Sequence, residues 1–213
     1  MNRARRVPVD RARRVRAARV ALFVVCAAPL IGLIVAFATD QLGANPVETI
    51  THVTGESALR LLLLTLAVTP LRQALGWAEL APLRRPLGLA AFGYACLHGA
   101  TFAVLDLGLD PGLVITEVLE RPYITAGFGA FCSMLPLAIT STRAWQRRLG
   151  RRWIALHRLV YVAAGLAVLH FIWLVKADLM EPLVYAAVLA LLLGLRVRAR
   201  RRRPESESSR RGA

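Results

Sequence analysis

Residues 154–175 read IALHRLVYVAAGLAVLHFIWLV, a run of 22 residues that is apolar apart from Arg158 and two histidines. As an α-helix it would be about 33 Å long, enough to cross the ~30 Å hydrocarbon layer of a bilayer. A backbone inside lipid must satisfy its own hydrogen bonds. The segment is therefore predicted to be a transmembrane helix.

Five further apolar segments have comparable lengths, so the chain is predicted to be an all-α integral membrane protein, a six-helix bundle. The composition agrees, since 56% of the 213 residues are hydrophobic and the formal charge is +15. A soluble domain of this size rarely combines the two properties. No internal repeat is apparent. The predicted spans are 19–39, 57–75, 87–106, 123–140, 154–175 and 182–197.

Arginines mark one side of the predicted bundle. Both terminal segments and the second and fourth connections are rich in arginine, whereas the opposite connections contain only Arg121 and Lys176. Cytoplasmic loops retain positive charge, so both termini are predicted to be cytoplasmic. The predicted organisation is a basic tail at 1–18, a transmembrane domain at 19–197 and a basic, disordered tail at 198–213. The arginines flank spans and are not interleaved with exposed aromatic residues as a base-stacking surface would need, which favours membrane lipids as partners and argues against nucleic acid.

Histidines inside the spans are the main candidates for chemistry, because an ionisable group in lipid is costly. His98 lies about 8 residues (~12 Å) before Asp106, and His170 about 6 residues (~9 Å) before Lys176, on the same side of the membrane. Imidazoles at matched depth on facing helices suit axial haem ligation, so His98 and His170 are predicted as a ligand pair. The alternative is that each only hydrogen-bonds a neighbouring helix. Zinc fits less well, because no nearby carboxylate or thiol completes a tetrahedral set.

His157 and Arg60 are further candidates for cofactor binding. His157 precedes His170 by 13 residues, which places them about 140° apart around a straight helix. His157 is thus either a ligand of a separate metal centre or an interfacial histidine. Arg60 follows Glu56 by one turn, and it either pairs with that carboxylate or binds a haem propionate. His52 is placed in the first outer connection, most simply as an exposed loop residue.

A series of short motifs runs along the predicted membrane region in a specific order and spacing. The motifs are Asn45-Pro46, Thr51-His52, Thr54-Gly55, Thr69-Pro70-Leu71-Arg72, Arg85-Pro86-Leu87-Gly88-Leu89, Arg121-Pro122-Tyr123-Ile124-Thr125 and Leu135-Pro136-Leu137-Ala138-Ile139-Thr140-Ser141. Together with the three histidines inside spans, they resemble the MsrQ family, also called YedZ, over residues 19–197. This family comprises haem-binding membrane subunits of methionine sulfoxide reductase systems and belongs to the ferric-reductase-like transmembrane superfamily.

The resemblance implies a b-type cytochrome of the bacterial inner membrane. It implies electron transfer from the quinone pool or a cytoplasmic flavin reductase to MsrP, a periplasmic molybdopterin enzyme that reduces methionine sulfoxide in oxidised proteins. The implied cofactors are one or two b-type haems on His98, His170 and His157, and FMN, although no phosphate-cradling glycine loop locates a flavin. Two-haem members of the superfamily carry two histidines on each of two helices. Here the residues 13 to 14 positions before His98 are Arg84 and Arg85.

Chain length limits what the protein does alone. Outer connections of fewer than about 20 residues cannot fold a catalytic domain, so the catalytic site is predicted to lie on a partner. Two other functions remain open from the residues alone. One is a small transporter or channel with a histidine proton relay, and the other is a ferric-ion reductase. A Soret band in purified membranes would separate the haem protein from the transporter.

Overall fold

The computed structural model describes residues 9–175 and 178–211. The predictions that concern residues 1–8 and Lys176 lie outside the described residues. The described part is helical and contains no β-strand. A 3₁₀ helix at Ala78–Leu83 precedes α3, and a π-helix at Phe102–Asp106 follows it. The α-helices are α1 (Val9–Ala38), α2 (Pro46–Leu75), α3 (Arg84–Thr101), α4 (Pro111–Glu120), α5 (Pro122–Ile139), α6 (Arg143–Leu149), α7 (Arg151–Leu156), α8 (Leu159–Leu174) and α9 (Met180–Arg211).

Six helical segments are long and apolar enough to cross a membrane, which confirms the predicted number of spans. Two of these segments combine consecutive helices. The third comprises the 3₁₀ helix, α3 and the π-helix, and the fifth comprises α7 and α8. The segments are Val15–Ala38, Pro46–Leu75, Ala78–Asp106, Pro122–Ile139, Arg151–Leu174 and Met180–Ala199.

The chain divides into two compact units, Met1–Asp110 and Pro111–Ala213. In the first unit the most extensive packing joins α2 to α3, and in the second it joins α5 to α8. Each of these pairs is antiparallel, because the start of one helix contacts the end of the other. Each unit is thus built around one antiparallel helix pair.

The first unit has its core on α2, where Leu61 and Leu66 are among the largest fully buried side chains. Tyr94 of α3 attaches α1 to this pair. Its hydroxyl donates to the carbonyl of Cys26 at 2.7 Å and accepts from the amide of Leu30 at 3.1 Å. The hydroxyl thereby bridges a carbonyl and an amide one turn apart in α1 and links this helix to α3.

Helix α2 begins eleven residues before the predicted span, and the sequence contains the reason. Asn45 is the N-cap, with its side-chain oxygen accepting from the amide of Glu48 at 3.3 Å, and Pro46 occupies the first helical position. Both are favoured helix-start signals. His52 therefore lies on α2 and is exposed, and its predicted place in a loop is wrong.

In the second unit, α5 and α8 form the most extensive packing, and the buried part of α8 contains small residues. Ala163 and Ala164 on α8 are completely buried, as membrane helix pairs favour. Span hydroxyls donate to carbonyls one turn earlier, for example Ser133 to Gly129 at 2.8 Å. These hydroxyl groups therefore have their hydrogen-bond acceptors within the same helix.

The predicted disorder of the tail at 198–213 stays a prediction, although the described helix extends into this segment. Helix α9 continues through Arg211, so only 212–213 lie outside the described part of this tail. The tail extends an existing span, which removes the cost of helix nucleation. Arginine and glutamate, which are frequent here, are also good helix formers.

Membrane orientation is a testable consequence of the arginine distribution. Reporter fusions at Arg147 and Arg203 are expected to read cytoplasmic, and fusions at Gly112 periplasmic, because arginine is concentrated on the first side. Paired alkaline phosphatase and fluorescent protein fusions provide the measurement. A periplasmic reading at Arg203 would contradict the count of six spans.

Candidate functional site

His98 of α3 is held by the main chain of α2. Its Nδ1 lies 3.0 Å from the carbonyl oxygen of Thr51. A carbonyl oxygen can only accept, so Nδ1 carries a proton and donates it. In the neutral ring, the lone pair is then on Nε2.

A glycine one turn along α2 makes room for the His98 ring. A Cβ atom built on Gly55 would lie 2.9 Å from Nδ1 and 3.0 Å from Cε1 of His98. Real Cβ atoms essentially never approach other heavy atoms this closely, so any larger residue would push the imidazole away. Gly55 therefore defines a notch in α2 that receives the ring.

His170 of α8 has the same environment in the second unit. Its Nδ1 lies 2.6 Å from the carbonyl oxygen of Tyr123, at the start of α5. A Cβ atom on Gly127 would lie 2.8 Å from Nδ1 and 3.1 Å from Cε1. The Tyr123 ring is tilted toward the imidazole, with 6.3 Å between ring centroids. His170 is thus also held in a glycine notch as an Nδ1-protonated imidazole.

The two units share one motif, which the sequence alone did not reveal. In each, a carbonyl-bearing residue is followed four positions later by glycine and 47 positions later by histidine, at Thr51, Gly55 and His98 and again at Tyr123, Gly127 and His170. The expectation of no internal repeat is therefore wrong at the structural level. The available signal was a glycine 43 positions before each histidine.

Histidines that bind metals commonly have this environment. A ligating imidazole usually donates its other ring N–H to a carbonyl or carboxylate, which fixes the tautomer and the ring orientation. Within the described residues, no three His, Cys, Asp or Glu side chains form a metal-binding group. A haem iron needs only axial ligands from the protein, since the porphyrin supplies four nitrogens. The residues present therefore fit haem better than a metal ion bound by protein alone.

His157 has a different environment from the other two. It lies at the junction where α7 ends and α8 begins, and its Nε2 lies 3.1 Å from Oγ1 of Thr140. That hydroxyl donates its proton to the carbonyl of Pro136 at 2.6 Å, so Nε2 of His157 is the donor to Thr140. The imidazole also stacks on Trp153, with 3.9 Å between centroids. The neutral His157 ring therefore carries its proton on Nε2, whereas His98 and His170 carry theirs on Nδ1.

The first unit has an arginine at the corresponding place. Arg84, at the start of α3, donates a hydrogen bond to the hydroxyl of Thr69 on α2. Thr140, the C-cap residue of α5, is the matching partner of His157 in the second unit. The structure therefore places Arg84 where a two-haem pattern would need a second histidine on α3.

Arg60, the candidate propionate partner, forms an i,i+4 ion pair with Glu56. Its guanidinium NH2 lies 2.7 Å from Oε2 of Glu56, and 54% of its side chain is exposed. The Glu56–Arg60 ion pair, one of the two roles predicted for Arg60, is therefore present. Whether Arg60 also contacts a propionate stays a prediction.

The start of α5 carries a second exposed pair beside the His170 site. Arg121 lies 2.6 Å from the carboxylate of Glu117 and donates to the hydroxyl of Tyr123 at 3.1 Å. The pKa of Arg121 is raised above its usual value, first by the Tyr123 hydrogen bond and then by the charge of Glu117. Arg121 is therefore a fixed cation next to the residue whose carbonyl holds His170.

Comparison with known proteins places this arrangement in a class of membrane proteins. The family model described as "Ferric reductase like transmembrane component" matches residues 54–180, more than half of the chain, and this segment includes His98, His157 and His170. The chain is thus a ferric-reductase-like transmembrane protein. No solved structure matches it.

Curated relatives define the group more narrowly. A protein of Xanthomonas axonopodis pv. citri is 56% identical over 159 residues, which is 75% of this chain and 73% of the relative. A protein of Ralstonia nicotianae is 50% identical over 185 residues, 85% of each chain. Both are named protein-methionine-sulfoxide reductase heme-binding subunit MsrQ. The chain therefore belongs to the MsrQ family.

Proposed function

We propose that this chain is the haem-binding membrane subunit of a methionine sulfoxide reductase system. It passes electrons to a periplasmic molybdopterin reductase of the MsrP type, which repairs oxidised proteins. The observation that carries the proposal is the pair of glycine notches, in which His98 and His170 each donate the Nδ1 proton to a main-chain carbonyl. The names of the relatives support haem as the group that these histidines bind.

The proposed axial ligands are His98 and His170, through Nε2, on one b-type haem. Non-covalent binding is favoured because none of Cys26, Cys96 and Cys132 lies in a Cys-x-x-Cys-His attachment motif. Arg60 is the proposed propionate partner. A guanidinium has five N–H donors in a planar arrangement that suits carboxylates, which is the chemistry that this proposal uses.

The proposed reaction of the partner sets the number of electrons that this chain must deliver per turnover. Reduction of methionine sulfoxide takes two electrons and two protons and releases methionine and water. A haem, when bound, supplies one-electron transfer, so one turnover of the partner needs two passages through this chain. The residues of this chain hold the imidazoles in place, and the sulfoxide is bound and reduced on the partner.

The donor is proposed to be quinol or a cytoplasmic flavin reductase, with FMN as a further cofactor. The connection between α5 and α8 bears exposed arginines that would attract an acidic protein or a flavin phosphate. These residues are Arg143, Arg147, Arg148, Arg151 and Arg152. The predicted inner-membrane orientation would present them to the cytoplasm.

Reoxidation of the reduced chain tests the function. In vesicles under argon, the dithionite-reduced cytochrome is expected to be reoxidised by methionine sulfoxide only when the periplasmic reductase is present, because the sulfoxide is proposed to be reduced on that partner. The α-band absorbance measures the reaction, and methionine replaces the sulfoxide in the control. Equal reoxidation by a ferric chelate without the reductase would instead support a ferric-ion reductase. Absence of a Soret band would support a transporter.

His157 is proposed as the ligand of a second haem, and this requires exchange of its hydrogen bond to Thr140. His157→Ala is then expected to remove about half of the haem and leave the other centre's spectrum unchanged, since separate centres are ligated independently. Haem per polypeptide and stopped-flow reduction are the measurements. Thr140→Val, which removes only the hydroxyl, is the control and keeps the full haem content. Full haem with slow reduction in His157→Ala would indicate a donor pocket, and normal values for both a structural role.

A further inference from the structure

Helix α4 is a short helix tied to the edge of a membrane span. It ends at Glu120, and the span formed by α5 begins two residues later at Pro122. The Thr125 hydroxyl of α5 lies 2.5 Å from the carbonyl oxygen of Val118, in the last turn of α4. With ten residues α4 is about 15 Å long, half of what a bilayer crossing needs.

One side of α4 is apolar and only partly covered. At 100° per residue, Val114, Ile115, Val118 and Leu119 fall within an arc of about 140°. Val114 and Val118 are half-buried, whereas Ile115 is 60% and Leu119 76% exposed. Leu113 is the one large apolar residue of this helix outside the arc. Two branched side chains are thus left uncovered by the protein at the end of a span.

The opposite side of α4 carries polar side chains of little net charge together with Leu113, which is 49% exposed and lies about 170° from the centre of the apolar arc. Thr116, Glu117 and Glu120 lie there, with Glu120 about 170° from the centre of the apolar arc. Glu117 is paired with Arg121 at 2.6 Å, which leaves Glu120 as the one acidic group of α4 outside that pair. A helix with an apolar face and a polar face of this kind partitions to a membrane–water interface.

We propose that α4 is an interfacial helix whose Ile115 and Leu119 insert among the lipid acyl chains. Three features favour lipid over a docked protein. The helix is hydrogen-bonded to the first turn of a span, which holds it at the end of a membrane-crossing segment. The Glu117–Arg121 pair removes most of the charge that could attract a basic partner. Arg121 and Tyr123 at the junction are residue types that anchor at membrane interfaces.

Site-directed spin labelling tests this proposal without reference to electron transfer. In a full-length chain with Cys26, Cys96 and Cys132 changed to alanine, single cysteines are introduced as Leu119→Cys and, one position on, Glu120→Cys as the matched control. Ile115→Cys and Thr116→Cys form a second pair. The labelled proteins are reconstituted in phosphatidylcholine vesicles, and relaxation by oxygen, which concentrates in lipid, is compared with relaxation by a water-soluble nickel complex.

Labels at positions 115 and 119 are expected to be relaxed several-fold more by oxygen relative to nickel than labels at 116 and 120. Equal nickel accessibility at both members of each pair would overturn the proposal and indicate a helix that stands in water, available to a protein partner. Circular dichroism checks that each variant retains its helices. If a variant at position 119 or 120 fails to fold, the comparison of positions 115 and 116 tests the proposal.

Discussion

His98→Ala and His170→Ala are each expected to lose nearly all of the low-spin haem, the largest effect that the structure predicts. Bis-imidazole ligation fails when either axial nitrogen is removed, and an alanine side chain offers no replacement. Haem per polypeptide, measured by the pyridine haemochrome method on purified protein, provides the test together with the Soret band. Full haem content in either variant would refute the proposed pair.

His52→Ala is the matched control for these two substitutions. His52 is exposed on α2, one residue after Thr51, whose carbonyl accepts from His98. Removing its imidazole changes the histidine count by the same amount without touching either glycine notch. This variant is expected to retain normal haem content. A loss of haem here equal to that in His98→Ala would indicate that haem binding depends on histidines in general and not on the two notches.

The sequence predicted the spans well because span length is a property of composition. Lipid requires about 20 apolar residues, and runs of that length can be counted directly. Helices outside the hydrocarbon layer were harder to predict, because the thickness of the bilayer does not fix their length. The first turns of α2, before residue 57, and all of α4 were predicted as connections. In both, short-range signals were present: the Asn45-Pro46 cap and the spacing of apolar residues along α4.

The glycine notches could not be predicted from side chains alone. Thr51 and Tyr123 have equivalent roles, but each contributes a main-chain carbonyl, and every residue has one. Their side chains therefore need not resemble each other, and the repeat is hidden in the sequence. Only the glycine and the histidine are fixed by sterics and chemistry. A spacing of 43 between two common residue types becomes informative only when the helix pairing is known.

The calculated 140° between His157 and His170 failed for a structural reason. It assumed one straight helix over 154–175, but the segment is divided into α7, which ends at Leu156, and α8, which begins at Leu159. His157 lies in this break, so helical angles cannot be carried across it. The position of His157 inside a span was predicted correctly. Its hydrogen bond to Thr140 depends on a contact between the end of α5 and the α7–α8 junction, which no local pattern indicates.

Gly127→Ala is expected to weaken haem binding even though it should strengthen the helix. Alanine is favoured over glycine in a helix interior by about 1 kcal/mol, so the fold itself should not suffer. The new methyl group, however, would lie 2.8 Å from Nδ1 and 3.2 Å from Cγ of His170. The ring would have to move and would lose its hydrogen bond to the Tyr123 carbonyl, and loss of such an orienting contact lowers metal affinity about 10- to 100-fold. Gly55→Ala is expected to do the same to His98.

Gly194→Ala in α9 is the matched control for this steric prediction. A Cβ atom at Gly194 meets no other atom within 4 Å, so the substitution adds the same methyl group to a helix without a clash. Haem titration and the electron paramagnetic resonance g-values of the ferric protein distinguish a displaced ligand from general damage, and circular dichroism reports the helix content. The notch hypothesis requires a lower haem affinity and shifted g-values in Gly127→Ala with unchanged helix content. Values for Gly127→Ala that match those of Gly194→Ala would mean that the ring tolerates the methyl group, and the notch would then have no part in positioning the ligand.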